Sequence, residues 1–307
     1  MRNISVIIPV YNSSQILEML IQRLEAELPN LSNEFEVILI NDGSLDNSWQ
    51  VIKELQTQYP WMLGINLMRN YGQHNALLCG IRIAQYEYTI TMDDDLQHPP
   101  EEIGKMISEL DKGYDVVYGY PEQEQHGAWR DLASQITKFA LQRTTGVETA
   151  RRVSAFRAFR TKIRRAFDTY RNPFVSIDVL LSWGTNRFTA VPVQHHMRAV
   201  GESNYTFRKL IAHAGNMITG FSTFPLQFAS WLGFAFAIFG GIVLVYVIGR
   251  YIILGGSVPG FPFLASTIAI FAGVQLFALG IIGEYIARMY FRLMDRPSYV
   301  IRGKTDD

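Results

Sequence analysis

The chain has 307 residues, enough for one or two domains with a proper core. Lys and Arg together number 28, as do Asp and Glu, so the formal charge is zero and a global attraction to nucleic acid is excluded. The single cysteine, Cys79, excludes an intrachain disulfide and suits a reducing compartment; within Ala-Leu-Leu-Cys-Gly it reads as a small core residue.

The first 120 residues alternate in type. A β-branched run at 4–8, stopped by Pro9, predicts a buried strand and is too short for a secretory apolar segment, which leaves this end in the cytoplasm. Helical periodicity follows at 15–28, and a second strand at 35–40. A helix is predicted over 46–58, with Ser44 or Asp46 as its N-cap. Next come a strand at 63–67, a helix at 73–85 and a strand at 88–92. Pro99-Pro100-Glu101-Glu102 opens another helix, since proline and acids suit a first turn. A strand at 115–119 completes the series. Strands alternating with helices predict an α/β domain with a mainly parallel sheet. Ligands on such sheets bind beyond the C-terminal ends of the strands.

Two amphipathic segments, 129–142 and 205–218, mix apolar residues with Arg, Lys or His and suit a membrane interface or packing on the sheet. No Asp, Glu, Lys or Arg occurs between Lys209 and Arg250, or between Arg250 and Glu284. The apolar segments 224–249 and 261–283 each exceed the roughly 20 residues that span a bilayer. Gly255-Gly256-Ser257-Val258-Pro259-Gly260 forms the turn between them. The alternative is a pair of buried core helices. Arg208 and Lys209 precede the first segment, and Arg288, Arg292, Arg296, Arg302 and Lys304 follow the second. By the positive-inside rule, this predicts a multi-pass integral membrane protein with both termini and the α/β domain cytoplasmic. The expected division is 1–120 for the first half of that domain, 121–222 for a part with the two amphipathic segments, 223–290 for a two-span hairpin and 291–307 for a cytoplasmic tail.

Three polar clusters fall at predicted strand ends: Pro9-Val10-Tyr11-Asn12, Asn41-Asp42-Gly43-Ser44 and Asp93-Asp94-Asp95-Leu96-Gln97-His98. Adjacent carboxylates repel unless solvated or holding a cation. Alternation along a strand would turn Asp93 and Asp95 to one side, with Gln97 as a third oxygen ligand for Mg²⁺ or Mn²⁺. Asn-Asp-Gly-Ser is also ordinary turn chemistry, so Asp42 reads either as a turn residue or as an acceptor for a base or ribose. His74, His195, His196 and His213 lack a regular metal spacing.

These residues carry a resemblance. Ile7-Ile8-Pro9-Val10-Tyr11-Asn12, Ile40-Asn41-Asp42-Gly43-Ser44-Leu45-Asp46, Arg69-Asn70-Tyr71-Gly72 and Asp93 through Pro100 resemble the family 2 glycosyltransferases, which have the GT-A fold. The similarity extends to the polyisoprenyl-phosphate glycosyltransferases, a branch that includes dolichyl-phosphate mannose synthases and bacterial GtrB-type enzymes. The resemblance implies a UDP- or GDP-sugar donor and a polyprenyl phosphate acceptor in the bilayer, with the nucleotide-sugar bound by a catalytic domain at 1–120 and the acceptor by 121–222. It implies nucleotide binding by Pro9, Tyr11, Asp42, Asp93 and Asp94, although Asp94 stands where the family often has a small residue. It also implies a metal–diphosphate site at Asp93 and Asp95 assisted by Gln97. Ser13 replaces a glutamate that the family often has after Tyr-Asn, and Arg151-Arg152 replace acids found near Phe-Arg in some relatives.

A phosphate acceptor calls for arginine, whose fork binds two oxygens. The candidates are Arg130, Arg157 in Ser-Ala-Phe-Arg, and Arg198 before Gly-Glu-Ser203, with Ser203 beside it and Arg208 further on. A phosphate monoester is largely dianionic at neutral pH, so a strong general base is optional. Asp178, in Ser-Ile-Asp-Val, is the acid in reserve beside Asp93 and Asp95. Direct displacement would invert the sugar; UDP-glucose is the leading donor. A processive polysaccharide synthase and a non-catalytic membrane scaffold are the competing classes, and two spans per chain favour a homo-oligomer. No Gly-x-Gly-x-x-Gly follows the first strand, which sets aside a dinucleotide enzyme.

Overall fold

A computed structural model describes residues 3–121, 153–196, 223–254 and 260–306. Arg130, Arg198, Ser203 and Arg208, both amphipathic segments, Arg151-Arg152 and His213 lie outside the described residues. The chain divides into two compact units, Met1–Ala214 with Asp295–Asp307, and Gly215–Met294.

The first unit is built on β1 (Asn3–Val10), α1 (Leu17–Leu31), β2 (Glu34–Asn41), α2 (Ser48–Gln58), β3 (Met62–Leu67), α3 (Gln73–Ile83), β4 (Tyr88–Thr91), α4 (Ile103–Asp111) and β5 (Val116–Pro121). It continues through β6 (Arg157–Arg160), α5 (Ile177–Gly184), β7 (Phe188–Val193) and, after the second unit, β8 (Ile301–Lys304). The eight strands form one sheet in the order β7-β5-β6-β4-β1-β2-β3-β8. β1 pairs in parallel with both β2 and β4, β2 pairs in parallel with β3, and β5 does so with β7. β6 and β8 run antiparallel to their neighbours.

Period-2 alternation sorts the central strands between two cores. Ile4, Val6, Ile8 and Val10 of β1 join Val37 and Leu39 of β2 under α1, α2 and α4. Ile7, Ile38 and Ile40 face the other way, against α3 and α5. On that side Gly80 lets α3 approach closely, since a Cβ there would lie 2.4 Å from Ile7 Cγ2 and 2.8 Å from Ile40 Cδ1. Arg164 caps α3, donating to the carbonyls of Ile81, Arg82 and Ala84 that have no helical partner. Cys79 is buried in this core, and burial pushes its thiol up to about 12.

Three strands differ from the sequence expectation. β6 has only four residues, two of them arginines, so it carries no apolar alternation to read. β7 is only partly buried and contains Pro192. β8 lies in the segment expected as a tail; it pairs with the β3 edge, and Gly64 N–H donates to Thr305 Oγ1 at 2.8 Å. The segment before β8 is anchored too: Asn172 N–H donates to Ser298 Oγ, and Ser298 Oγ–H to Asn172 O. The α2 N-cap is Asn47 rather than Ser44 or Asp46; Asp46 Oδ1 instead accepts from the N–H and hydroxyl of Ser48, at 3.0 and 2.6 Å.

The second unit holds two helices, α6 (Phe224–Leu254) and α7 (Phe261–Leu293). The stretches Phe224–Ile253 and Ile270–Tyr290 are long and apolar enough to cross a membrane. A soluble core helix would be covered, whereas the apolar windows of both helices are unburied. Phe236 and Phe271 meet edge to face at 5.9 Å, with Gly240 against the Phe271 ring.

Gly80→Ala tests the close packing of α3. In an open helix this change stabilises by about 1 kcal/mol. Against the stiff, buried Ile7 it is expected to destabilise by about 1–3 kcal/mol. Thermal denaturation of the solubilised protein gives the sign, and a raised midpoint contradicts the packing.

Candidate active site

The β4-β1-β2 adjacency brings three loop clusters to one rim of the sheet. Each loop is held to the next by hydrogen bonds. Asp42 N–H donates to Val10 O at 2.9 Å, and Met92 N–H to Ile7 O at 3.2 Å. Asn12, at φ 56°, donates its N–H to Ser44 Oγ, while its Oδ1 accepts from Leu45 N–H at 2.8 Å. Ser13 N–H donates to Ser48 Oγ and Ser14 N–H to Asp46 Oδ2.

Asp42 is 3% exposed and holds the 69–72 segment in place. Its Oδ1 accepts from Tyr71 N–H at 2.7 Å and its Oδ2 from Gly72 N–H at 2.8 Å, just ahead of α3. Burial raises its pKa, opposed by those two donors and by Arg69. Each oxygen keeps a lone pair for a further donor. Gly43 completes the junction. It sits at φ +65°, and a Cβ there would lie 2.5 Å from Asn70 N and 2.6 Å from Arg69 C. Pro9 is buried at the end of β1, and Tyr11 is exposed. The Arg69 guanidinium lies 4.5 Å from the centre of the Tyr71 ring.

The acidic triplet lies past the end of β4, so its side chains follow loop geometry rather than strand alternation. Asp93 Oδ1 accepts from Gln73 Nε2. Asp94 turns to the β1 loop, where Oδ2 accepts from Tyr11 N–H at 3.3 Å. Burial raises the Asp94 pKa and the Asp95 charge adds to this, against hydrogen bonds from Ser13 and Tyr11. Asp95 is buried, with Oδ1 accepting from Gln97 N–H at 3.1 Å, and Leu96 takes φ 56° between them. No three His, Cys, Asp or Glu side chains converge as a metal cage among the described residues. Mg²⁺ and Mn²⁺ commonly use one or two carboxylates and complete their shells with water and substrate phosphates. Two acidic side chains on one loop fit that donor set.

Four features beside the triplet were less legible. β6 runs antiparallel to β4, so Thr91 at the end of β4 pairs with Arg157 at the start of β6. Arg157 is 3% exposed, and its Nε donates to Ser154 O at 3.2 Å and lies 3.3 Å from Asp178 Oδ1. Buried His98 lies 5.2 Å from the Phe156 ring and 5.0 Å from His195, centre to centre. Burial and the neighbouring His195 and Arg157 hold its imidazole down to about 4, against Asp95, so it is neutral at pH 7. The loop after β7 joins this group, with His196 N–H donating to Gln97 O at 2.9 Å. His74 has a structural bond, its Nδ1 accepting from Ile177 N–H.

Asp42→Ala would leave the Tyr71 and Gly72 amides without acceptors. The expected cost is about 1–3 kcal/mol, with faster hydrogen exchange at those two amides. Unchanged exchange there contradicts the anchoring role.

Comparison with known proteins names the architecture. The family model described as glycosyl transferase family 2 matches residues 5–167, more than half of the chain. Glucosyl-3-phosphoglycerate synthase from Mycobacterium tuberculosis, solved with Mn²⁺, uridine diphosphate and glucosyl-3-phosphoglycerate, superposes with a TM-score of 0.53 at 15% identity. That match covers 71% of this chain and 78% of the other. The same enzyme with Mn²⁺, UDP-glucose and phosphoglyceric acid superposes with a TM-score of 0.52 at 17% identity, over the same shares. These likenesses show a shared GT-A fold, a mixed sheet with mostly parallel strands. From its strand-end motifs, its sheet order and the family match together, the chain belongs to glycosyl transferase family 2.

Proposed function

We propose that this glycosyltransferase moves a sugar from a nucleotide-sugar, with UDP-glucose the leading donor, to the phosphate of a membrane polyprenyl phosphate, inverting the anomeric centre. The observation that carries this reading is the placement of a buried arginine, Arg157, at the strand end next to an acidic loop, in a chain with two exposed apolar helices. The solved relative binds a UDP-sugar, Mn²⁺ and a phosphorylated acceptor, which supports the donor and metal classes.

In this reading Pro9, Tyr11 and Asp42 face the nucleoside. Asp93 and Asp95, assisted by Gln97, would hold Mg²⁺ or Mn²⁺. Asp94 supports the site through Tyr11 N–H. When bound, the cation supplies charge neutralisation for the departing diphosphate. The acceptor phosphate is already dianionic at neutral pH, so attack on the anomeric carbon requires orientation more than deprotonation. Arg157 supplies that orientation from the first unit, and Arg130, Arg198 and Ser203 are further candidates for the same anion. The chain leaves the first unit before α6 and rejoins it after α7. Two crossings return a chain to the same side of a bilayer, which supports a hairpin anchor at 223–290 with the catalytic unit and both termini on the cytoplasmic face.

The test is transfer of radiolabelled sugar from a panel of UDP- and GDP-sugars to polyprenyl phosphate, with and without Mn²⁺ or Mg²⁺. The expected product is a metal-dependent, organic-extractable glycolipid carrying one β-linked sugar from an α-linked donor. Asp95→Ala is expected to lower the rate by at least about 100-fold. Transfer only to soluble phosphates such as 3-phosphoglycerate would overturn the lipid acceptor, and a polymeric product would favour a processive synthase.

A further inference from the structure

Asp178 lies near the start of α5 and has no water-exposed role; it is 5% exposed. Its Oδ1 accepts from the Tyr118 hydroxyl at 3.1 Å and lies 3.3 Å from Arg157 Nε. Tyr118 is fully buried and stays neutral, because burial and the Asp178 charge push its pKa well above 10. Its hydroxyl is therefore a permanent donor. The Arg157 Nε is shared between Asp178 and Ser154 O, which fixes the plane of the guanidinium at its inner edge. The outer edge is different. Arg157 Nη1 is buried and has no hydrogen-bond partner among the described residues. The Nδ1 of His98, whose ring packs on Phe156 next in the chain, is also buried without a partner there.

Unpaired buried donors are costly, and an arginine held through Nε with Nη1 unpartnered among the described residues offers a pre-oriented donor to an anion. We infer that Asp178, with Tyr118 behind it, is a positioning residue that aims Arg157 at an anionic oxygen of the acceptor, rather than a base that takes a proton from it. The inference rests on the proposed phosphate acceptor and specifies how its anion is held. A dianionic phosphate has no proton to give up.

Two measurements on the full-length protein test this. Calorimetry with inorganic phosphate as the probe is expected to show affinity falling about 10- to 100-fold in Asp178→Ala and Arg157→Ala. Asp178→Asn keeps an acceptor for Arg157 and is expected to recover most of the loss. Tyr118→Phe, which leaves the carboxylate in place and is the milder change for folding, is expected to weaken phosphate severalfold. No phosphate binding by the wild type, or equal affinity in the wild type, Tyr118→Phe and a folded Asp178→Ala, overturns the inference.

Kinetics separate it from the function it rests on. The expected signature of Asp178→Ala is a raised acceptor KM with donor KM unchanged, and Asp178→Asn is expected to keep both kcat and acceptor KM close to wild type. A kcat collapse of about 1000-fold at unchanged acceptor KM marks a base and overturns the positioning role. If the wild type transfers nothing to polyprenyl phosphate while phosphate affinity still tracks Asp178 and Tyr118, the lipid acceptor falls and the positioning role stands.

Discussion

Two parallel ladders, β1 with β2 and β1 with β4, are the constraint on which the site depends. Parallel pairing sends neighbouring strands out at the same edge. It brings Tyr11, Asp42 and Asp93 to one rim although about 30 to 80 residues separate them along the chain. The hydrophobic alternation of β1 secures the arrangement, because a one-residue slip would turn Ile4, Val6, Ile8 and Val10 out of one core and Ile7 out of the other. The loops then fasten to one another through side chains: Asn12 to Leu45 and Ser44, Asp94 to Tyr11, Asp42 to Tyr71 and Gly72.

Much of the polar chemistry at this rim holds backbone. Asp42, Asp46, Asp94 and Asn12 each accept main-chain N–H groups. A site that binds a dianionic diphosphate has to keep its donors and acceptors in place without the ligand, since ordering them on binding would weaken affinity. The acidic triplet divides its work accordingly. Asp94 holds the β1 loop through Tyr11 N–H, while Asp93 and Asp95 are the ligands of the proposed cation.

β6 has the opposite direction from β4, and this reversal sets a cation next to the acids. Running antiparallel, β6 begins where β4 ends, so Arg157 stands at the rim although the next strand residues run away from it. The network of Arg157, Asp178 and Tyr118 is buried, and removal of Arg157 or Asp178 would strand the other's charge in the interior. Under the proposed function, that burial cost is offset when the acceptor anion arrives.

The local pattern of the sequence determined the alternating elements from β1 to β5, the acidic loop and the two apolar helices. Hydrophobic period, proline and glycine placement and the absence of charge act over short windows, and those windows are visible in one dimension. Asp42 and the Asn-Asp-Gly-Ser turn were legible as a turn at a strand end, but the anchoring of residues 69–72 was not, because Tyr71 and Gly72 contribute only backbone amides. Tertiary structure alone decided β6, β7 and β8: four residues rich in arginine, a partly exposed strand with a proline, and a basic stretch expected as a tail become strands only because neighbouring strands offer them partners, β6 between β4 and β5 and β7 and β8 at the two edges. It also decided the surroundings of Asp178. The sequence shows a lone acid beside a helix start, whereas Tyr118 and Arg157 reach it from two strands, β5 and β6, and contacts between residues so far apart leave no mark on local spacing.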